Sequence, residues 1–182
     1  MLRRKHVLMS ATALAVTLLA PACSREPEAY PPPEQRGQLT VEEVGGTRGF
    51  VRMNDPDAES YFVRDIRGLE GGQWRWTGQE PMLRFMIDNA QNQHLVVDFA
   101  VAGAVLEQTG PLTISTYVND HLLDQSTYPT EGQRHFDKPV DPSWFTAGVI
   151  TIVRLELDKV FVAPADGVKL GIILSAAGFE ER

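Results

Sequence analysis

The chain has 182 residues, with 17 lysines and arginines against 24 aspartates and glutamates, and a net charge of −7. Residues 1–22 hold three of the basic residues and no acidic one, so without them the count is 14 against 24, a net charge of −10. A domain this acidic is repelled by anionic phosphates, which excludes nucleic acid and binding of the domain surface to anionic membranes.

Residues 1–22 have the layout of an export signal. The basic residues Arg3, Arg4 and Lys5 are followed by an apolar stretch at 7–20. Fourteen helical residues rise about 21 Å at ~1.5 Å each, which is short against a hydrocarbon core of ~30 Å. A basic start, a short apolar stretch and small residues at its end are typical of a cleaved signal peptide rather than of a transmembrane helix.

The signal ends in Leu-Leu-Ala-Pro-Ala-Cys at 18–23, which resembles the lipobox of bacterial lipoproteins. The resemblance implies cleavage before Cys23, acylation of its thiol, and a membrane-anchored protein facing the periplasm or the cell surface. Ser24 in the next position favours the outer membrane by the same resemblance. Cys23 is the only cysteine, so it has no intramolecular disulfide partner. The alternative is an ordinary secretory peptide that leaves Cys23 as a free thiol.

The mature chain is predicted to be a tether followed by one domain. Residues 23–38 include four prolines, several charges and almost nothing apolar, so they cannot form a core and favour extended polyproline II. Residues 39–182 contain no second linker, and their number is usual for one domain with its own hydrophobic core.

The domain is predicted to be all-β. Its apolar residues alternate with polar ones, as in the segment 82–88, where Leu83, Phe85 and Ile87 share one face. Short strands of this kind separated by Gly, Pro, Asn and Asp turns predict a single β-sandwich or jelly roll. The predicted strands are 39–44, 48–53, 61–66, 82–88, 95–101, 112–118, 149–157 and 168–176.

The familiar catalytic and metal-binding motifs are missing from the sequence. It has no G-x-S-x-G, H-E-x-x-H, P-loop or dinucleotide fingerprint, so we predict no catalytic residue, no cofactor and no enzyme. His94, His121 and His135 lie in separate segments, and a polar surface role is favoured over a metal site. The oxygen-rich segment 54–59 could ligate calcium, but a solvated turn is the favoured interpretation.

Trp74-Arg75-Trp76 is the strongest local feature. In a strand Trp74 and Trp76 point to one face and Arg75 to the other, and two large aromatic residues on one face favour core packing over a binding platform. On the polar face a tyrosine ring could stack on a sugar, with charged groups donating and accepting hydrogen bonds. The candidate ligand-binding residues are therefore Arg75, Arg84, Asp98, Tyr117 and Arg154.

Three segments of the domain are similar to galactose-binding-like modules. Residues 68–77, GLEGGQWRWT, look like the opening of such a module. Residues 116–119 followed by Leu122 and Leu123 resemble its central hairpin, and 164–172 resemble its closing strand. The resemblance implies a β-sandwich of the kind that occurs in cell-surface polysaccharide enzymes and in lipoproteins.

The sequence leaves three hypotheses on function. The first is a non-enzymatic, lipid-anchored sandwich that binds an envelope glycan. The second is a structural or protein-interaction subunit of an envelope complex. The third is a glycan hydrolase, which requires two carboxylates that face one cleft.

Overall fold

The computed structural model describes residues 49–146 and 148–182. Four predictions lie outside the described residues: the signal peptide, the acylation of Cys23, the tether at 23–38 and the strand at 39–44. A short helix α1 (Gly103–Thr109) accompanies the strands, and no helix among the described residues is long and apolar enough to span a membrane. The strands are β1 (Phe50–Arg52), β2 (Phe62–Glu70), β3 (Trp74–Met86), β4 (Gln93–Val101), β5 (Leu112–Val118), β6 (His121–Tyr128), β7 (Gly132–Pro139), β8 (Ile150–Leu157), β9 (Phe161–Val162), β10 (Lys169–Leu170) and β11 (Ile173–Glu181).

The predicted all-β sandwich is confirmed. Nine strands form one antiparallel sheet that passes from one layer to the other along β3. The second half of β3 pairs with β8, while its first half pairs with β11 at Arg75 and Trp76. The first layer therefore consists of β2, β3, β8, β5 and β6, and the second layer consists of β1, β11, β4 and β7. Strands β9 and β10 form a separate hairpin.

The core lies between these layers and is built by the alternation seen in the sequence. Phe85 is fully buried, and its ring lies 5.6 Å from the ring of Tyr61 and 5.6 Å from that of Phe179, measured between centroids. Because Phe85 belongs to β3 and Phe179 to β11, this contact joins the two layers. Fully burying an aromatic side chain of this kind stabilises the fold by roughly 1.5–3 kcal/mol.

The last predicted strand, 168–176, is divided in the structure. β10 ends at Leu170, and β11 begins only at Ile173 and extends to Glu181. Between them the Ile172 amide donates to Thr77 Oγ1 at 3.1 Å. A Cβ on Gly171 would meet this same Oγ1 at 2.8 Å, so only glycine allows the chain to pass this close to β3.

The predicted hairpin at 116–123 is confirmed. Asn119 and Asp120 have φ of 46° and 66°, the left-handed conformations of a two-residue turn that joins β5 to β6. The Asn119 side chain accepts from the Ile152 amide at 2.8 Å and donates to the Trp144 carbonyl at 2.8 Å. It thereby connects the hairpin to β8 and to the short 3-10 turn at Pro142–Trp144.

Candidate functional site

The structure does not bring the five predicted ligand-binding residues together. Arg84, Tyr117 and Arg154 lie on the outer face of the first layer, on β3, β5 and β8. Asp98 lies on β4 and therefore on the outer face of the second layer. Arg75 points into the molecule and is 6% exposed. The prediction that all five share one polar face is wrong, because alternation assigns each side chain to a face of its own strand and the strands belong to different layers.

Charged side chains on the outer face of the first layer pair with one another. Arg154 contacts Glu156 at 3.0 Å, Glu80 at 3.5 Å and Asp120 at 3.9 Å. Its guanidinium also lies over the Tyr117 ring, 3.8 Å from the centroid. A sugar stacking on that side of Tyr117 would first have to displace Arg154.

The outer face of the first layer also holds Arg84 and a cleft. The Arg84 Nε donates to the Ser60 carbonyl at 2.7 Å, so this side chain is also held by the protein itself. A cleft of about 610 Å³ lies beside residues 78–80 of β3. Within the part of the chain that the structure describes, no aromatic side chain lines it, and the lining residues are Asp65, Arg67, Gly78, Gln79, Glu80, Glu156, Gly167, Val168 and Lys169.

Arg75 is buried, and its predicted place on the exposed face is wrong. Its Nε donates to the Met53 carbonyl at 3.0 Å and its Nη1 to the Arg67 carbonyl at 3.1 Å. Nη1 also lies 3.4 Å from Glu59 Oε1, and the guanidinium lies 4.9 Å from the centre of the Phe62 ring. A buried charge is tolerated when its donors are satisfied, and these contacts supply the acceptors and the counter-charge.

Trp74 and Trp76 are correspondingly turned outward, so the prediction of core packing is wrong. Both are half-buried, and their rings form a T-shaped pair with 6.2 Å between centroids and 87° between planes. With Arg75 inward, alternation along β3 places both indoles on the outer face. The preceding turn contains Gly71, with φ of 58°, and a Cβ there would meet Trp74 Nε1 at 3.1 Å. A glycine at this position lets the indole lie against the turn.

A cleft of about 730 Å³ opens next to Trp74 on the outer face of the second layer. We call it the Trp74 cleft. Asp98 and His135 face each other across β4 and β7, with 2.6 Å between Asp98 Oδ1 and His135 Nδ1. Both side chains are open to solvent, at 43% and 58% exposure. The lining residues are Trp74, Asp98, Phe99, Ala100, Gln133, Arg134, His135, Ile173 and Ser175.

Local irregularities shape the floor and rim of the Trp74 cleft. The register of β11 against β4 shifts between Leu174 and Ala176, and Ser175 stands exposed in this bulge. Bulges of this kind re-aim a side chain at the edge of a site. At the rim, Arg134 donates to the carbonyls of Gln133 at 2.8 Å and Thr130 at 2.6 Å, so its charge is fixed in position.

A second histidine–carboxylate pair lies further along the same two strands. His94 Nδ1 is 2.7 Å from Asp137 Oδ1, and Arg182 Nη1 is 2.6 Å from Asp137 Oδ2. The hydrogen bond from His94 and the charge of Arg182 together hold the pKa of Asp137 below its usual value. The outer face of the second layer therefore carries two neighbouring histidine–carboxylate pairs. In one pair the carboxylate lies on β4, and in the other it lies on β7. Of the two, only the Asp98–His135 pair lines the Trp74 cleft.

No metal-binding cluster forms in residues 49–146 and 148–182, where no three His, Cys, Asp or Glu side chains converge. In the candidate calcium segment, Asp55 Oδ2 accepts from the Arg52 amide at 2.8 Å, and Glu59 pairs with the buried Arg75. His121 stacks on Trp144 with 4.9 Å between ring centroids, in a different layer from His135. Asp55, Glu59 and His121 therefore each contact other groups of the protein and do not point toward a common site.

The chain matches no protein-family model and no curated protein. Similar solved structures include a family 35 carbohydrate binding module from an environmental isolate, with 14% identity, a TM-score of 0.39, and coverage of 66% of this chain and 82% of the other. The module of the same family from Clostridium thermocellum has 8% identity, a TM-score of 0.40 and coverage of 69% and 95%. Xyl-CBM35, solved with a disaccharide that contains glucuronic acid, has 13% identity, a TM-score of 0.39 and coverage of 72% and 91%. At such TM-scores the likeness carries no argument about ligand or site.

Proposed function

We propose that this chain is an exported, lipid-anchored protein of the bacterial cell envelope whose β-sandwich binds a glycan in the Trp74 cleft without catalysing a reaction. The observation that carries the proposal is the outward position of Trp74 and Trp76 beside a cleft with hydrogen-bonding side chains. The lipobox-like end of the signal peptide at Cys23 supports the anchor.

The Trp74 cleft combines the two kinds of surface that a sugar presents. A sugar ring has an apolar C–H face and a rim of hydroxyl groups. Indole rings supply flat apolar area with a single N–H donor. Asp98 offers carboxylate acceptors, Gln133 offers an amide, and the exposed His135 adds a ring nitrogen. An apolar wall with a few convergent polar groups is the usual build of a binding cleft.

The arrangement of carboxylates supports binding rather than hydrolysis. Glycosidases use two carboxyl groups on either side of the scissile bond, and Asp98 is the only carboxylate among the described residues that line the Trp74 cleft. The cleft of the first layer has Asp65, Glu80 and Glu156 in its wall, but the last two are ion-paired with Arg154. A general acid would have to leave such a pair to donate its proton.

A second candidate function, a protein-interaction subunit of an envelope complex, is favoured by one observation. Leu122, Val149 and Ile150 are 53%, 52% and 44% exposed. Ile150 begins β8 and Leu122 is the second residue of β6, so these apolar side chains follow connecting segments of the sandwich. Exposed apolar side chains of this kind are available for contact with a protein partner.

The glycan proposal is tested with an array of bacterial envelope glycans, using the mature chain with Cys23→Ser to remove the lipid. We expect binding by this protein and its loss in Trp74→Ala. Trp144→Ala is the matched control, since this tryptophan stacks on His121 away from the cleft. Silence of the unsubstituted protein across the array would contradict the proposal, and cross-linking to a protein partner would then favour the second candidate.

The anchor is tested separately, by mass spectrometry of the amino-terminal peptide purified from bacterial membranes. We expect a diacylglyceryl group on Cys23 and recovery of the protein in the membrane fraction. In Cys23→Ala both should be lost, because one residue carries the attachment. An unmodified thiol at Cys23 in the mature protein would contradict the lipid anchor and leave the glycan proposal untouched.

A further inference from the structure

Arg75 lies directly beneath the surface that displays Trp74 and Trp76. It is 6% exposed, whereas its two neighbours along β3 are half-buried on the opposite side of the strand. A strand can present only one side to the core, so the side chain that occupies the inward position also determines where its neighbours point. Arg75 is thus placed to control the aromatic wall of the Trp74 cleft.

The two carbonyls that Arg75 binds lie where the backbone departs from regular strand pairing. The pairing of β2 with β3 shifts between Ile66 and Leu69, and the Arg67 carbonyl, 3.1 Å from Arg75 Nη1, lies in that irregular stretch. The Met53 carbonyl, 3.0 Å from Arg75 Nε, follows the end of β1. A guanidinium that donates to both carbonyls from its planar fork links these two backbone segments and stabilises their irregular conformation.

From Met53 the contact continues to the cleft itself. The Met53 amide donates to the Ser175 carbonyl at 2.9 Å. Ser175 stands in the bulge of β11 and lines the Trp74 cleft. One hydrogen-bonded path therefore runs from the Arg75 guanidinium through the peptide groups around Met53 to the backbone of the cleft floor.

We propose that Arg75 is a positioning residue for the Trp74 cleft, which holds Trp74, Trp76 and Ser175 in place without touching the ligand. The inference rests on the proposed function of this cleft as a glycan site. It makes Arg75 the reason that two tryptophans face solvent, since its donors and the two carbonyls fix the face of β3 that points inward.

The test replaces Arg75 conservatively and compares it with a matched arginine of the same strand. Lysine keeps the charge and loses the forked geometry, and methionine keeps the length and loses both. Arg84→Lys is the control, because Arg84 also donates from β3 to a backbone carbonyl, but on the outer face of the first layer. Three quantities are measured for each protein: the glycan Kd, the near-ultraviolet circular dichroism of the tryptophans, and the urea midpoint.

We expect Arg75→Lys to fold, to weaken glycan binding about tenfold, equal to about 1.4 kcal/mol, and to change the circular dichroism of the Trp74–Trp76 pair. Arg75→Met should lose more affinity than Arg75→Lys, so lysine gives partial rescue. Arg84→Lys should leave Kd within about twofold and the tryptophan signal unchanged.

A folded Arg75→Lys protein with unchanged Kd and unchanged tryptophan signal would overturn the inference. If Arg75→Met does not fold, Arg75→Lys alone decides. If the unsubstituted protein binds no glycan, the proposed function fails. The tryptophan circular dichroism still tests the positioning role of Arg75. An unchanged signal in Arg75→Lys would then contradict that role.

Discussion

The two outer faces of the sandwich carry the same kinds of side chain, aromatic rings beside charged groups, in different arrangements. On the first layer, Arg154 lies 3.8 Å above the Tyr117 ring and its charge is shared among acidic neighbours. On the second layer, Trp74 borders a cleft of about 730 Å³, and the Asp98–His135 pair in its wall stays open to solvent.

The presence of aromatic and charged side chains therefore does not by itself make a binding face. A ring covered by a guanidinium has already used its attractive surface in a cation–π contact. A half-exposed ring beside a cleft still has surface to offer, together with polar side chains that remain open to solvent. The first-layer face is therefore interpreted as a stabilising surface and the Trp74 cleft as a recognition surface.

The largest expected difference between the faces is in glycan affinity. Asp98→Ala removes the carboxylate from the Trp74 cleft and should weaken binding by about 10- to 100-fold, since hydrogen bonds to charged groups contribute roughly 1.5–3 kcal/mol. The double substitution Tyr117→Ala with Arg154→Ala should change the affinity by no more than about twofold. Isothermal titration with a glycan from the array measures both. A loss in the double variant with none in Asp98→Ala would reverse the assignment of the faces.

Substitutions on the first layer should lower the free energy of unfolding more than substitutions on the second layer, although this difference is smaller than the difference in affinity. Arg154→Ala removes the contact with Tyr117 and several ion pairs of a side chain that is only 17% exposed, and should lower the free energy of unfolding by about 1–2 kcal/mol. His135→Ala removes an exposed partner and should cost less than about 0.5 kcal/mol. Urea unfolding compares them, and equal losses would contradict separate roles for the two faces.

The smallest expected effect is on the stability of the fold at acidic pH. Because its folded-state pKa is lowered, the Asp137 carboxylate stabilises the fold above its unfolded pKa, near 3.8, and this contribution is lost as pH falls through the lower folded value. Asp137→Asn should therefore flatten the decline in stability below about pH 5. Asp120→Asn, at a side chain that is 93% exposed, is the matched control. Urea midpoints at successive pH values test this, and an unchanged acid slope in Asp137→Asn would contradict it.

The alternation of apolar and polar residues is sufficient to predict the sandwich, because the side chains of the core follow this alternation. Leu83 and Phe85 on β3 are both fully buried, as the pattern of apolar residues predicts. It missed β7, where Phe136 is the one buried side chain and no apolar pattern exists to read. It also missed the helix α1, whose seven residues begin without a side-chain cap. Edge strands and short helices leave weak patterns because little of their surface is buried.

The candidate site could be predicted only in part. Asp98 was singled out and lines the Trp74 cleft, whereas Arg84, Tyr117 and Arg154 lie on the other layer. Charged side chains usually face solvent, so Arg75 is predicted to point outward, whereas in the structure it points into the core. Its acceptors are the carbonyls of Met53 and Arg67, 22 and 8 residues away, where the backbone departs from regular strand pairing.

Such carbonyls are features of the folded chain that leave no mark in residue types. The one available signal was the spacing of the two tryptophans, which places both indoles on a single face. Spacing alone could not say whether that face was inside or outside. His135 was noted in the sequence, but its partner Asp98 comes from a strand 37 residues earlier.

The three tryptophans of the chain can report directly on where a glycan binds. Their indole N–H signals are followed by nitrogen–proton NMR during titration with a glycan that the protein binds, with assignment by single Trp→Phe substitutions. Binding in the Trp74 cleft predicts that the signals of Trp74 and Trp76 shift with the ligand while that of Trp144 stays fixed. A titration that leaves the signals of Trp74 and Trp76 unshifted would contradict glycan binding in the Trp74 cleft.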